Sequence, residues 1–160
     1  MSQDKPIVAL LSPGDMGHSV GQVLVENGLR VITCLQGRSE RTRVLAAEAG
    51  IEDVESYAEM VQQVDLLLSI LVPAQAPHAA GRVADALRET GSDLVYVDCN
   101  AIAPQTVRQI GDTITAAGGR MVDASIIGGP PRGGSGPRIY TSGPDTSAFE
   151  ALSEYGLLVV

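Results

Sequence analysis

Short, almost uninterrupted apolar runs recur along the chain, separated by amphipathic stretches, and this alternation constrains the fold more than any other feature. Pro6-Ile7-Val8-Ala9-Leu10-Leu11, Arg30-Val31-Ile32-Thr33-Cys34-Leu35, Leu66 to Val72 and Leu94 to Asp98 are four such runs. A strand apolar on both sides has to be covered on both faces, which is the situation inside a parallel sheet. Between the first two runs, Met16, Val20, Val23 and Leu24 recur at helical spacing, and Asn27-Gly28 supplies a stop. Ser39 is placed to cap a second helix running through Val44, Leu45 and Ala49 to Gly50.

The same reading carries on to the end of the chain. It predicts a short link near Ile51-Glu52-Asp53 and helices over Tyr57 to Gln63, Ala74 to Glu89, Pro104 to Ala117 and Ser147 to Tyr155. It predicts further strands at Met121 to Ala124, Arg138 to Ser142 and Leu157 to Val160. Strands alternating with helices of about 10–15 residues make a doubly wound α/β domain with a mostly parallel sheet. The length of 160 residues suits one such domain rather than two.

Several function classes fall away on composition. The formal net charge is −8, so the surface repels a polyanion on average and nucleic acid is not an expected partner. No apolar run reaches the roughly 18 residues that a membrane helix needs. Met1-Ser2-Gln3-Asp4-Lys5 lacks the basic start and apolar stretch of a secretory signal, so a cytoplasmic protein is expected. Cys34 and Cys99 match no metal-ligand spacing and sit in apolar runs, as buried reduced thiols would; His18 and His78 are isolated. No metal site is expected.

The charge is unevenly spread. Residues 51–100 carry nine acidic and two basic groups, whereas residues 1–50 carry five of each. Within that neutral first third, Arg38, Arg41 and Arg43 fall together with only Glu40 to oppose them. Such an island is either a solvated helix start or a site for an anion.

Its position favours the anion. The first strand runs into the first helix through Ser12-Pro13-Gly14-Asp15-Met16-Gly17, where a dinucleotide fold carries its G-x-G-x-x-G turn. Ser12 takes the first glycine position, and Gly14 and Gly17 take the second and third. A missing Cβ at Gly14 lets a pyrophosphate approach the backbone, Gly17 lets the helix pack closely on the strand, and amides at the helix start point at the anion. About 20 residues on, NAD sites carry an acidic residue for the ribose hydroxyls. Here the second strand runs into Leu35-Gln36-Gly37-Arg38-Ser39-Glu40-Arg41 with no carboxylate at its end. A guanidinium pairs with a phosphate dianion that a carboxylate would repel. The prediction is NADP(H) over NAD(H), with Arg38, Ser39 and Arg41 on the 2′-phosphate; the missing acid also weighs against a methyltransferase.

With these residues in hand, the chain resembles the β-hydroxyacid dehydrogenase superfamily, which includes 6-phosphogluconate and 3-hydroxyisobutyrate dehydrogenases and the related imine reductases. Ser12 to Gly17 is similar to that superfamily's G-x-G-x-M-G, and Gly37-Arg38-Ser39 to its Asn-Arg-Ser/Thr variant. Ile70-Leu71-Val72-Pro73 looks like the segment that passes the cofactor. Asp98-Cys99-Asn100-Ala101-Ile102-Ala103-Pro104 and Asp123-Ala124-Ser125-Ile126-Ile127-Gly128-Gly129 resemble the two substrate segments.

The resemblance implies a Rossmann cofactor-binding domain, like the N-terminal domain of 6-phosphogluconate dehydrogenase, spanning residues 1–160. It implies hydride transfer between the nicotinamide and a small hydroxy acid or related small-molecule substrate. Cofactor contacts would come from Ser12, Pro13, Gly14, Asp15, Met16, Gly17, Gly37, Arg38, Ser39, Arg41, Leu71, Val72, Pro73 and Asn100, and substrate contacts from Asn100, Gly128 and Gly129. Asn100 is equally placed to cap the helix before Ala103-Pro104, Asp98 and Asp123 read as turn residues or ligands, and Arg132 as a substrate or a solvated group.

Members of the superfamily continue into a helical domain that carries a catalytic lysine and the contacts of a homodimer. Here that lysine would lie beyond Val160, because the chain's only lysine, Lys5, precedes the first strand. The expectation is therefore the cofactor half of an NADP-dependent oxidoreductase, inactive alone. The alternative is a non-catalytic NADP-binding or sensing module.

Overall fold

A computed structural model describes residues 5–11, 14–129 and 136–160, and the strand β1 (Val8–Leu11) lies near the middle of its single sheet, buried along its whole length. The other strands are β2 (Val31–Thr33), β3 (Glu52–Asp53), β4 (Leu66–Ser69), β5 (Val95–Asp98), β6 (Arg120–Ile127), β7 (Arg138–Ser142) and β8 (Leu158–Val159). Their spatial order is β3-β2-β1-β4-β5-β6-β7-β8, and every pairing is parallel except β6 with β7. This is the doubly wound, mostly parallel sheet read from the apolar runs.

Helices cover both faces, as the two-sided burial of the central strands demands. On one face, Val8, Leu10, Val31, Leu66, Leu68, Val95, Val97 and Val122 pack with Val20 and Leu24 of α1 (Asp15–Glu26) and with Ala46 and Ala49 of α2 (Glu40–Ala49). The same cluster takes in Phe149 of the short α6 (Ser147–Glu150). On the other face, Ala9, Leu11, Ile32, Leu67 and Tyr96 pack under α3 (Tyr57–Gln63), α4 (Ala76–Thr90) and α5 (Pro104–Ala116). Gly21 brings α1 close to the sheet: a Cβ there would stand 2.6 Å from Ile51 Cδ1 and 3.2 Å from Leu10 Cδ2.

Several boundaries differ from the sequence reading for identifiable reasons. The expected link at Ile51-Glu52-Asp53 is an edge strand, because Glu52 and Asp53 pair with Ile32 and Thr33. The strand expected to reach Val72 ends at Ser69, where the partner strands also run out: Ser69 is opposite Leu11 on β1 and Asp98 on β5. Pro73–Gln75 then forms a 3-10 turn, so α4 begins at Ala76 instead of Ala74. In the other direction β6 extends beyond Ala124, since Ser125, Ile126 and Ile127 pair with Tyr140, Ile139 and Arg138 of β7. The helix expected over Ser147 to Tyr155 is helical only to Glu150 and continues as a 3-10 turn, Ala151–Tyr155.

Candidate functional site

The chain leaves β1 toward β2 and β3 on one side and returns to β4 on the other. At such a switch point the connections leaving the two strands diverge, and a crevice opens above their C-terminal ends. Helix α1 starts here. Its N-cap is Gly14, with φ −80° and ψ −157°, and no side chain caps it. Among the described residues the first-turn amides thus have no capping side chain, at a helix terminus that favours an anion. Gly17 is buried, and Met16 packs half-buried against the core. His18 Nδ1 donates to the Gly14 carbonyl at 2.7 Å, which holds this turn from within. Ser12 and Pro13 lie outside the described residues, as does Arg132.

The turn after β2 is closed by a hydrogen bond from Arg38 N to Leu35 O at 2.9 Å, with Gly37 in the left-handed region at φ 78°. Ser39 caps α2, its Oγ accepting from Thr42 N at 3.2 Å. The three arginines then take different roles. Arg43 turns back, donating to Leu35 O at 2.9 Å and lying 4.0 Å from Asp53 Oδ2. Arg41 reaches α1, with Nη2 2.6 Å from Asp15 Oδ1, in an exposed pair of the kind worth no more than about 1 kcal/mol. The Arg38 side chain, partly exposed, makes no hydrogen bond or ion pair among the described residues.

Sequence reasoning missed one carboxylate at this place. Asp53 comes from β3 rather than β2, and its Oδ1 accepts from Leu35 N at 2.9 Å. The signal was available only through strand pairing, because Asp53 is 18 residues from Leu35. Asp53 is already engaged by that amide and by Arg43, whereas Arg38 has no such partner among the described residues.

On the other side of the crevice, Leu71 is partly exposed, Val72 is exposed, and Pro73 opens the 3-10 turn. Asn100 is buried and does not cap α5, whose N-cap is Ala103 with no side-chain hydrogen bond. Its side chain instead accepts from Leu71 N at 2.7 Å and donates to Ser69 Oγ at 3.1 Å. Gly128, at φ 119°, lies against Pro137, whose Cα would be 3.2 Å from an added Cβ. Nothing stands within 4 Å of a Cβ at Gly129. Lys5 lies away from all of this, its Nζ beside Gly28 in the turn between α1 and β2. Both cysteines are buried and free, and no group of three potential metal ligands occurs among the described residues. No helix among them is long and apolar enough to cross a membrane.

Ser69, Asp98 and Asp123 stand in register across β4, β5 and β6. Asp98 Oδ1 accepts from Asn100 N at 2.9 Å, while Oδ2 is buried without a partner. Burial, reinforced by the neighbouring Asp123, pushes the Asp98 carboxyl up to about 6. The folded state thus holds this proton more tightly than the unfolded chain, so the contribution of Asp98 to stability is most favourable at low pH and declines as pH rises from about 4 to 6. Asp98→Asn keeps the acceptor for Asn100 N and removes the buried charge. Urea unfolding is expected to show the variant more stable by about 1–2 kcal/mol at pH 8 and by clearly less at pH 4.5. An equal effect at both pH values would contradict the buried-charge account.

Similarity to known proteins covers nearly the whole chain. The sequence profile of the NAD binding domain of 6-phosphogluconate dehydrogenase matches residues 8–155. A 3-hydroxyisobutyrate dehydrogenase from Pseudomonas aeruginosa is 27% identical over 145 residues, covering 89% of this chain and 47% of the relative. The conserved protein MTH1747, whose structure was described as similar to 3-hydroxyacid dehydrogenases, superposes with a TM-score of 0.83 at 32% identity over 96% of this chain and 56% of its own. A 3-hydroxyisobutyrate dehydrogenase from Mycobacterium tuberculosis shares the fold, with a TM-score of 0.79 at 19% identity over 98% of this chain and 54% of its own. The chain spans about half the length of the curated relatives it matches.

Proposed function

Because the chain belongs to the family of the NAD binding domain of 6-phosphogluconate dehydrogenase, we propose that it binds NADP(H) in the β1/β4 crevice, as the cofactor half of a hydroxyacid dehydrogenase-type oxidoreductase. The observation that carries the choice of NADP(H) is the Arg38 guanidinium at the capped start of α2, which has no hydrogen-bond or ion-pair partner among the described residues, while Asp53 is tied to Leu35 N and faced by Arg43 and Asp15 is paired with Arg41. A 2′-phosphate there meets a guanidinium that has no partner to give up among the described residues.

The described residues fit such a group. The first-turn amides of α1, with Gly14, Asp15, Met16 and Gly17, would hold the pyrophosphate, and the uncapped Gly14 leaves the backbone open to it. Gly37 sets the turn that presents Arg38, and Ser39 closes the site from the helix side. Arg41 can leave its exposed Asp15 partner at small cost and join Arg38 on the phosphate. Leu71, Val72 and Pro73 form the wall toward the nicotinamide, and Gly128 and Gly129 border the space for a small hydroxy acid or related substrate. When bound, the nicotinamide supplies a hydride acceptor or donor at its C4. The proton-handling group is assigned to a lysine in a helical domain beyond Val160, since Lys5 sits by Gly28, away from the crevice. The whole protein would be a homodimer, with this chain alone inactive.

Fluorescence titration with NADPH and NADH tests this reading. NADPH is expected to bind at least about tenfold tighter, since charge-assisted hydrogen bonds to the extra phosphate are worth roughly 1.5–3 kcal/mol. Equal affinities would remove the 2′-phosphate assignment, and no binding of either would remove the cofactor reading.

A further inference from the structure

We infer that Asn100 is a positioning residue: a buried clamp that ties the loop after β4 to the loop after β5 and so fixes the wall that faces the nicotinamide. This rests on the cofactor reading above but gives Asn100 a role other than the substrate or cofactor contact expected of its segment. The parallel ladder between the two strands ends with Ser69 opposite Asp98, followed by one backbone bond from Cys99 N to Ser69 O at 3.0 Å. Past that point the loops carrying Leu71 and Asn100 have no strand pairing to hold them together.

The Asn100 side chain takes over where the ladder stops. Its Oδ1 accepts from Leu71 N at 2.7 Å, satisfying an amide that the ended strand leaves without a ladder partner. Its Nδ2 donates to Ser69 Oγ at 3.1 Å, within the buried end of β4. Its own backbone N donates to Asp98 Oδ1 at 2.9 Å, which fixes the orientation of the residue that carries the clamp. At 7% exposure Asn100 is buried, and each of its two polar side-chain atoms serves an internal partner. Leu71 belongs to the segment assigned to the cofactor wall, so a shift at its backbone is felt by the nicotinamide half and not by the adenosine half near Arg38.

Two readouts test the clamp. The first is binding of NADPH and of 2′,5′-ADP, which lacks the nicotinamide half. Asn100→Ala is expected to weaken NADPH about tenfold while leaving 2′,5′-ADP within about twofold. The second is amide hydrogen exchange at Leu71 without nucleotide, expected to speed up about tenfold in Asn100→Ala. Unchanged NADPH affinity, equal loss of both nucleotides, or unchanged Leu71 exchange would each overturn the assignment. If the wild-type chain binds neither nucleotide, the cofactor reading fails by itself and the exchange measurement decides the clamp. If Asn100→Ala does not fold, Ser69→Ala removes the Nδ2 arm alone. It should then weaken NADPH about threefold with 2′,5′-ADP unchanged, and an unaltered NADPH affinity would overturn the clamp.

Discussion

Phe149→Ala is expected to destabilise the protein by about 3–5 kcal/mol, seen as a lower urea midpoint at an unchanged slope. Phe149 is the chain's only phenylalanine and is fully buried. It sits in a helix of four residues, too short to be stable through its own hydrogen bonds. What holds that helix is packing: Phe149 and Leu152 join the cluster that contains Ala124 of β6, Ile139 of β7 and Leu157 before β8. Truncation leaves a large cavity where the last three strands are covered. The loss is a large part of the 5–15 kcal/mol by which domains are stable. A loss below about 1 kcal/mol would mean that α6 is not the element covering that part of the sheet.

The central fold was legible because its strands are buried on both faces and write themselves as apolar runs. β1, β2, β4 and β5 could be read from local residues alone, and α3 and β7 were located to the residue. What local reading could not supply was pairing. Glu52 and Asp53 are exposed, polar and two residues long, and they are a strand only because Ile32 and Thr33 lie beside them. Ile70 to Val72 is as apolar as the strand before it, but β1 and β5 end opposite Ser69 and leave it nothing to pair with. The extension of β6 through Ile127 depends in the same way on β7 arriving antiparallel.

The site divides along the same line. Gly14 at the start of α1, Gly37 at positive φ and Ser39 as the cap of α2 are local backbone requirements, and the sequence shows them directly. The arginine island was visible as composition, but its division was not. That Arg43 is spent on Leu35 O, that Arg41 meets Asp15 and that Arg38 stays unengaged depend on where α1, α2 and β3 meet. Asn100 was visible as a polar residue at a strand end, where capping and ligand binding were the two options. Its actual partners, Leu71 and Ser69, lie about 30 residues away in sequence on the neighbouring strand and its loop.

Arg38 decides the choice between the two cofactors in this proposal. If its guanidinium receives the 2′-phosphate, Arg38→Ala removes charge-assisted hydrogen bonds from one cofactor and nothing from the other. Such bonds are worth roughly 1.5–3 kcal/mol, so about a 30-fold weakening of NADPH is expected, with NADH unchanged within about twofold. Arg41 remains in the variant and keeps a small residual preference. The side chain is partly exposed and makes no internal hydrogen bond among the described residues, so stability should change by less than about 0.5 kcal/mol. The most direct measurement is the ratio of NADPH to NADH dissociation constants in the wild-type and Arg38→Ala chains at one fixed ionic strength. The expected ratio strongly favours NADPH in the wild type and moves toward unity in the variant. A wild-type ratio near one, or a variant that weakens both cofactors equally, would contradict it.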